Sequence, residues 1–358
     1  MPAAPLSLTP GKLWGLRRLA DASGRFKMTA VDQRPPIKTP IKAHYGTDEA
    51  PWADVAGFKR LLVEELQGES SALLLDPHFA YPHAVSAFDP AKGLILTLED
   101  SLFTETHGGR LSSDIDDWSV EKIKRIGGDA VKVLAWYRPD ADASVVAAQK
   151  DYVQRIGAAC ARFDIPFVFE LLVYPLASDA EQTRDYVEMA SKRADHVLQS
   201  VETFAAPDYG VDLFKLESPV PADAVPGTDD ETAETAGEVQ ALFDDLGRLA
   251  GRPWVMLSAG AGKDAFRKIL THAYAAGASG YLAGRAIWLD AFRAFPDWEA
   301  MRAGLKTDSV PYMRDLNALT DARAIPFLAH PAFGPDGARL TPADASLRHV
   351  YPDFGGTP

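Results

Sequence analysis

Three ionisable side chains lie in the middle of apolar, strand-like runs of this 358-residue chain. They are Lys132, Glu170 and Lys215. Lys215 is flanked by Phe214 and Leu216, and a lysine buried between such neighbours costs several kcal/mol unless it is neutralised or used in chemistry. A buried lysine amine is a common nucleophile that forms a Schiff base with a carbonyl substrate. Three such residues in successive strands predict a catalytic cavity.

A Schiff-base lysine must lose its proton near neutral pH, although a free lysine titrates near about 10.4. Burial and a second cation both lower that pKa, and Lys132, two strands away, could approach Lys215 across a barrel lumen. Glu170 on the intervening strand could then shuttle protons during carbinolamine formation, dehydration and carbon–carbon cleavage. The alternative for Lys215 taken alone is a structural salt bridge with Glu217.

The elements that must position these residues are short apolar runs bounded by Gly, Pro, Asp or Ser, which predict strands. They are Phe26–Asp32, Ala72–Asp76, Leu94–Glu99, Ala130–Tyr137, Phe167–Tyr174, Leu213–Ser218, Trp254–Ala259 and Gly280–Gly284. Helical patterns separate most of them, at Ala53–Leu66, Ser119–Ile126, Ala143–Phe163, Ala180–Arg193, Glu231–Leu249 and Lys263–Ala276. This alternation predicts an α/β fold, a (β/α)₈ TIM barrel. A doubly wound sheet is the alternative, but the first strand lacks the Gly-rich turn that a dinucleotide site needs.

The chain is predicted to form a single domain with a C-terminal extension. Residues 1–25 are an N-terminal helical segment, residues 26–304 the barrel, and residues 305–358 a C-terminal helix with an extended Pro/Gly-rich tail. The tail Ile325–Pro358 is either an extended arm or an oligomer contact. The long polar connection Asp100–Trp118 is predicted to lie over the barrel mouth.

Composition excludes several classes of protein. A net charge of −13 argues against general nucleic-acid binding, which needs a basic face. Cys160 is the single cysteine, which excludes an intrachain disulfide and fits a reducing compartment. No apolar run approaches a membrane span and the N-terminus lacks a signal-peptide core, so a cytoplasmic protein without a membrane partner is predicted. The eight histidines are scattered, so no metal site is predicted.

The active site of such a barrel lies at the C-terminal ends of its strands. The first strand ends in Asp32, Gln33 and Arg34, which places polar groups there. The seventh and eighth strands end in small residues, whose backbone N–H groups can hold a phosphate with the fork of Arg285. The phosphate candidates are Ser258, Gly260, Gly284 and Arg285. The alternative is tight turns that need glycine, with a surface arginine.

The chain resembles the tagatose-1,6-bisphosphate aldolase family, whose members are class I, metal-independent aldolases with the barrel fold. The similarity runs from about Leu13 to about Leu319. The matching motifs are Ala30-Val-Asp-Gln-Arg34, Leu73-Leu-Leu-Asp-Pro77, Asp117-Trp-Ser119, Asp129-Ala-Val-Lys132, Glu170, Phe214-Lys-Leu-Glu217, Leu257-Ser-Ala-Gly260 and Ala283-Gly-Arg-Ala-Ile-Trp288. The resemblance implies Lys215 as the Schiff-base lysine, Glu170 as proton shuttle, and Lys132 and Asp32 in support.

The resemblance also implies the substrate and the products. A ketose 1-phosphate, tagatose 1,6-bisphosphate first of all, would give dihydroxyacetone phosphate and an aldehyde, glyceraldehyde 3-phosphate. Ser258, Gly260, Gly284 and Arg285 would surround the C1 phosphate. No cofactor is implied beyond the covalent iminium on Lys215, and the predicted partner is a small-molecule sugar phosphate. Barrels of this kind often dimerise, so a homodimer or higher homo-oligomer is predicted by analogy alone.

One departure concerns the aldehyde half of the substrate. The chain carries Arg138 where the tagatose enzymes have an acidic residue, and in this respect it is similar to the sulfofructose-1-phosphate aldolases, which would release sulfolactaldehyde. Arg34 and Arg138 are the candidates for holding a distal phosphate or sulfonate. Two rivals remain from other classes, a non-catalytic barrel that senses a sugar phosphate and an isomerase on the same scaffold.

Overall fold

Eight parallel strands close into a barrel in the computed structural model, which describes residues 5–179, 189, 193–227 and 233–351. The strands are β1 Phe26–Ala30, β2 Ala72–Leu75, β3 Gly93–Thr97, β4 Ala130–Trp136, β5 Phe167–Leu172, β6 Leu213–Leu216, β7 Trp254–Met256 and β8 Gly280–Ala283. They pair in chain order, and β8 closes on β1. The predicted TIM barrel is confirmed. The predicted runs extend past the observed strands at their C-terminal ends, because the chain there already turns into the loops of the mouth.

Helices lie in the connections between the strands and in the segments before β1 and after β8. They are α1 Pro10–Leu19, α2 Pro35–Tyr45, α3 Trp52–Leu66, α4 Ala80–Ala84, α5 Val120–Arg125, α6 Ala143–Arg162, α7 Ala194–Phe204, α8 Ala233–Ala250, α9 Lys263–Ala275, α10 Arg285–Phe292, α11 Trp298–Gly304, α12 Val310–Arg323 and α13 Leu347–Val350. Five predicted helices correspond to α3, α5, α6, α8 and α9, and the predicted helix Ala180–Arg193 falls almost wholly outside the described residues. Within the described ranges, no helix is long and apolar enough to cross a membrane.

Two apolar layers fill the barrel lumen. The lower layer is formed by Met28, Leu74, Ile95, Ala130, Val168, Leu213, Val255 and Leu282 with other buried side chains. The upper layer contains Leu134, Trp136, Leu172, Tyr174 and Leu257. Because side chains alternate along a strand, the residue midway between Ala130 and Leu134 also faces the lumen, and that residue is Lys132. Lys132 therefore lies between the two apolar layers.

The chain termini close the base of the barrel. Leu16 and Leu19 of α1 are fully buried beneath the lower layer, together with Phe327 and Phe333 of the tail. The N-terminal segment and the tail pair through a parallel bridge between Leu8 and Leu340. The described part of the tail therefore packs on its own barrel, whereas its role in an oligomer and the division of the chain at residues 25 and 304 stay predictions.

The connection between β3 and β4 forms a hairpin at the rim of the barrel. Its strands are Thr104–Thr106 and Gly109–Leu111. The guanidinium of Arg110 lies 4.2 Å from the ring centroid of Phe103, 5.0 Å from that of Trp136 and 4.9 Å from that of Tyr174. Since Trp136 and Tyr174 belong to the upper layer, these cation–π contacts hold the hairpin against the mouth.

A buried ion pair fixes the end of β1. Lys59 lies on the core-facing side of α3 and is fully buried. Its ammonium donates to the carbonyl of Val31 at 2.7 Å and forms an ion pair with Asp76. Asp76 also accepts from the backbone N–H groups of His78 at 3.0 Å and Phe79 at 2.8 Å. Lys59 therefore ties the residue before Asp32 to the loop that follows β2.

Replacing Lys59 with methionine is expected to lower the free energy of unfolding by about 3–5 kcal/mol, because the carboxylate of Asp76 stays buried without its cation. Urea unfolding at pH 7 measures the change. Lys268→Met is the matched control, since Lys268 is exposed on α9 and surface substitutions usually change stability by less than about 0.5 kcal/mol. A Lys59→Met variant as stable as this control would contradict the structural role of the pair.

Candidate active site

Glu170 connects the two buried lysines. Parallel pairing of β5 with β6 places Glu170 directly beside Lys215. One carboxylate oxygen, Oε2, lies 2.9 Å from Nζ of Lys215 and 2.8 Å from Nζ of Lys132. All three side chains are almost fully buried. The three residues singled out in the sequence thus form one contiguous cluster.

Lys132 lies among three carboxylates. Its ammonium donates to Asp32 at 3.0 Å and to Glu99 at 2.6 Å, in addition to its ion pair with Glu170. These carboxylates come from the ends of β1 and β3 and from β5. Their meeting point follows from the closed barrel, whose lumen brings these strands to one centre.

The carboxylates of this cluster differ in pKa. Burial alone would raise the pKa of Asp32, but the charges of Lys132 and Lys215 outweigh burial and hold it at about 2. Burial would also raise the pKa of Glu170, but the charges of Lys132 and Lys215 outweigh burial, so the pKa is lowered. For Glu99, burial prevails and raises the pKa, although Lys132 acts in the opposite direction. Glu99 is therefore the carboxylate of this cluster that takes up a proton most easily.

The loops after β7 and β8 lie beside this cluster. Gly260 has φ of +90°, where a side chain would be strained, and a Cβ built on it would lie 3.3 Å from the guanidinium carbon of Arg285. Ala259 also adopts positive φ, +47°. A Cβ on Gly284 would lie 2.7 Å from Nε2 of Gln33. These close approaches show that the two loops pack tightly around Arg285 and Gln33.

Arg285 is the first residue of α10, and its helix is anchored to β1. Nε1 of Trp288, one turn further, donates to the carbonyl of Ala30 at 3.1 Å. The N-terminus of α10 therefore faces the mouth of the barrel with Arg285 beside it. Backbone N–H groups and the dipole at a helix N-terminus favour an anion.

A pocket at the mouth combines these groups. It is lined by Asp32, Gln33, Lys132, Glu170, Leu172, Lys215, Leu257, Ser258, Ala259, Leu282, Gly284 and Arg285. Three basic and two acidic side chains are in this lining, so it carries a net positive charge suited to an anionic ligand. Of the predicted site residues, Gly260 adjoins the lining through Arg285, whereas Arg34 and Arg138 lie outside it.

Arg138 forms a cluster with acceptors of its own chain. Its guanidinium makes a bidentate contact with Asp140 at 2.7 and 2.8 Å, and Nη1 donates to Asp179 at 3.0 Å and to the carbonyl of Tyr174 at 2.7 Å. Arg34 is also buried and donates to the carbonyl of Glu99 at 3.0 Å. The structure therefore shows both arginines in structural contacts, and their role as ligands of a distal anion stays a prediction.

The alternative partner of Lys215, Glu217, has a different contact. Oε1 of Glu217 accepts from the backbone N–H of Val173 at 2.7 Å, whereas the ion pair recorded for Lys215 is with Glu170. Across the described residues, no group of three or more His, Cys, Asp and Glu side chains is arranged to hold a metal ion. The ammonium of Lys132 occupies the centre of the three carboxylates around it.

Sequence analysis did not assign Glu99 or Lys59 to the site. Glu99 lies two residues past the end of the apolar strand β3, in the region where barrels carry functional side chains. Lys59 could have been noticed as a charged residue on the apolar side of a helix, between Phe58 and Leu62. The apolar lining residues, such as Leu172 and Leu257, give no chemical signal in the sequence.

A (β/α)₈ barrel with two buried lysines and a shared glutamate at the C-terminal ends of its strands defines a barrel enzyme with a lysine-containing pocket. The sequence profile of the DeoC/LacD aldolase family matches residues 26–290 of this chain, and the chain belongs to this family. It is 35% identical over 328 residues to the tagatose 1,6-diphosphate aldolase of Listeria monocytogenes serotype 4a, covering 90% of this chain and 95% of that protein. It is likewise 35% identical to tagatose 1,6-diphosphate aldolase 2 of Enterococcus faecalis, covering 89% and 96%.

The fold is also found among solved structures. The structure of fructose-bisphosphate aldolase from Plasmodium falciparum matches with a TM-score of 0.62 at 12% sequence identity, covering 90% of this chain and 98% of that chain. This similarity supports the barrel architecture, and the sequence relatives support the family.

Proposed function

We propose that this protein is a class I aldolase that cleaves a ketose 1-phosphate through an iminium on Lys215. The observation that carries the proposal is the contact of one Glu170 oxygen with both Lys215 and Lys132 inside a positively charged pocket. Tagatose 1,6-bisphosphate is the proposed substrate, because curated relatives that share over a third of the sequence act, by name, on this sugar. The proposed products are dihydroxyacetone phosphate and glyceraldehyde 3-phosphate.

Glu170 is positioned to accept the proton that leaves Lys215. The free amine of Lys215 then attacks the C2 carbonyl of the ketose, and the carbinolamine that forms loses water to give an iminium. Glu170, at 2.9 Å from Nζ, can protonate the departing hydroxyl in that step. Because the pKa of Glu170 is lowered by Lys132 and Lys215, this carboxylate starts the cycle ionised, as a base must.

The iminium acts as the electron sink for carbon–carbon cleavage. Removal of the C4 hydroxyl proton forms the aldehyde carbonyl, the C3–C4 bond breaks, and its electron pair moves to the iminium nitrogen as an enamine. Protonation of C3 and hydrolysis then release dihydroxyacetone phosphate and restore Lys215. Lys132 supports this chemistry by holding Glu170 and balancing its charge, Asp32 fixes Lys132 through their ion pair, and no metal is needed for electron withdrawal.

The C1 phosphate is proposed to bind between the loops after β7 and β8. Arg285 supplies a fork of N–H donors, while Ser258, Gly260 and Gly284 lie around it at the start of α10. Gln33 offers a further polar contact, since its Oε1 is buried without a hydrogen-bond partner in the described part of the chain. That oxygen can accept a hydrogen bond from a sugar hydroxyl.

Arg285→Lys is expected to raise KM for the ketose 1-phosphate by roughly 10- to 100-fold, because a charge-assisted bidentate contact is reduced to a point charge. The value of kcat should change much less. Steady-state kinetics with a linked assay for dihydroxyacetone phosphate measure both constants. Arg267→Lys, an exposed change on α9, is the control. An unchanged KM in Arg285→Lys would contradict the phosphate site.

Substrate choice is tested with a panel that varies one group at a time. Tagatose 1,6-bisphosphate should be cleaved fastest. Comparison with tagatose 1-phosphate measures the contribution of the distal phosphate, and comparison with fructose 1,6-bisphosphate measures selectivity for the configuration at C4. The sulfofructose 1-phosphate alternative rested on Arg138, whose guanidinium here is engaged by Asp140 and Asp179. Faster cleavage of 6-deoxy-6-sulfofructose 1-phosphate would overturn the tagatose assignment. Binding without cleavage of any ketose 1-phosphate would favour the sensing barrel.

A further inference from the structure

Glu99 is held rigidly behind Lys132. It lies two residues past the end of β3, is 1% exposed and does not line the pocket. Its Oε1 accepts from Nζ of Lys132 at 2.6 Å, and its Oε2 accepts from the hydroxyl of Thr97 at 2.6 Å. Both carboxylate oxygens thus have partners, and Thr97 is itself fully buried. The carboxylate has one defined position.

The backbone around Glu99 is fixed as well. Glu99 forms an antiparallel bridge with Asp114, where the connection between β3 and β4 returns to the barrel. The backbone N–H of Asp100 donates to the carbonyl of Ser113 at 2.8 Å, and the carbonyl of Glu99 accepts from Arg34 at 3.0 Å. The connection between β3 and β4 is therefore anchored at Glu99, the residue that contacts Lys132.

The balance of charges in the cluster indicates that Glu99 helps to hold Lys132. Three carboxylates surround Lys132, and only one further lysine, Lys215, belongs to the described cluster. When Glu170 accepts the proton of Lys215, its attraction for Lys132 weakens. Asp32 and Glu99 then hold the ammonium in place, so that Lys132 does not follow the movement of the proton.

We propose that Glu99 is a positioning residue of the aldolase reaction, which fixes the ammonium of Lys132 between Asp32 and Glu170. This inference rests on the proposed roles of Lys215 and Glu170. It predicts that catalysis depends on the ionised form of Glu99, while substrate binding does not.

The test is Glu99→Gln, which keeps the size of the side chain and removes its charge. At pH 7.5 we expect kcat to fall roughly 10- to 100-fold, because Lys132 loses one of its charge-assisted contacts. KM should stay within about threefold, because Glu99 does not line the pocket. The adduct on Lys215 should still be trapped by borohydride with dihydroxyacetone phosphate.

The pH profile separates positioning from a merely structural role. Burial raises the pKa of Glu99, so as the pH falls its charge is lost at a higher pH than that of an ordinary glutamate. The wild-type kcat should then fall toward that of Glu99→Gln, and the two profiles should converge. The charged and titratable groups that face Glu99 are Lys132 from β4, Asp32 and Arg34 from the end of β1, and Tyr152 from α6.

Controls and a second variant keep the outcomes distinct. Glu121→Gln removes an exposed carboxylate on α5 and should behave as wild type. Thr97→Val removes the hydroxyl that holds Glu99 and should lower kcat about threefold in the same direction. This variant decides the question if Glu99→Gln does not fold.

Wild-type kcat in a folded Glu99→Gln, a constant kcat ratio at all pH values, or an unchanged Thr97→Val where Glu99→Gln does not fold would each overturn the inference. Absence of the borohydride adduct in wild type would instead overturn the proposed function on which it rests.

Discussion

Lys215→Ala is expected to lose turnover of tagatose 1,6-bisphosphate by at least about 10⁴-fold, because the proposed nucleophile is removed and Lys132, the other lysine of the pocket, is held by three carboxylates. Affinity should change far less, since the proposed phosphate contacts come from the loops after β7 and β8. Titration calorimetry with tagatose 1,6-bisphosphate measures binding, and single-turnover kinetics measure the chemical step. Cleavage and affinity therefore separate in this variant.

Lys268→Ala is the matched control for this experiment, because it removes an exposed lysine from α9. It should retain wild-type kcat and KM. A Lys215→Ala variant that folds and retains more than a few per cent of wild-type kcat would contradict the role of Lys215 as nucleophile. Equal losses of affinity and turnover would point to a binding role instead.

Lys132→Met should produce a large loss of stability that depends on pH. The substitution leaves the carboxylates of Asp32, Glu99 and Glu170 close together without the cation that they share. Removing one partner of a buried ionic cluster costs about 3–5 kcal/mol at pH 7. In the variant, repulsion and burial both favour the protonated carboxyls, so the loss should become smaller as the pH falls from 7 to 5.

The contribution of Asp32 to the stability of the wild type should stay constant between pH 7 and 5. The folded-state pKa of Asp32 is about 2, below the ordinary value near 3.9, so its contribution is complete above the unfolded value. That contribution is lost only as the pH falls through the folded value. Urea unfolding at pH 7.0 and 5.0 measures both proteins, with Lys268→Met as control. A loss of the same size at both pH values would show that the carboxylates do not repel one another.

The barrel and the lysine cluster could be predicted from local signals. A charged residue in an apolar strand is conspicuous, and two-residue alternation assigns its face. Lys132, Glu170 and Lys215 could therefore be placed on the lumen face from the sequence alone. The closed lumen then brings their atoms within 3 Å, a distance that alternation does not specify.

The contact between Glu99 and Lys132 could not be predicted in the same way. Lys132 is 33 residues further along the chain than Glu99, and they meet because the register of β3 with β4 places Thr97 beside Lys132. Arg138 shows the same limit from the other side. Its charge suggested a ligand for an anion, but Asp179, 41 residues away, contacts its guanidinium. Charge in a sequence does not reveal which charges are already paired.

The ends of the strands were harder to predict than their centres. Asp32 and Ser258 follow apolar residues and looked like strand residues, but both lie in the loops of the mouth. The turn at Gly260 depends on φ of +90°, which its glycine permits, and Ala259 also adopts positive φ, +47°, without that advantage. Local sequence carried no signal for the strained backbone at Ala259.

Borohydride trapping with dihydroxyacetone phosphate, followed by peptide mass mapping, tests the central claim most directly. Lys215 should carry one reduced adduct, while Lys132, 2.8 Å from the same Glu170 oxygen, should carry none. Because the two lysines are close in space but far apart in the sequence, they fall in different peptides, and mass mapping distinguishes them. A folded protein that binds the ligand but forms no adduct, or forms it on Lys132, would contradict the proposed mechanism.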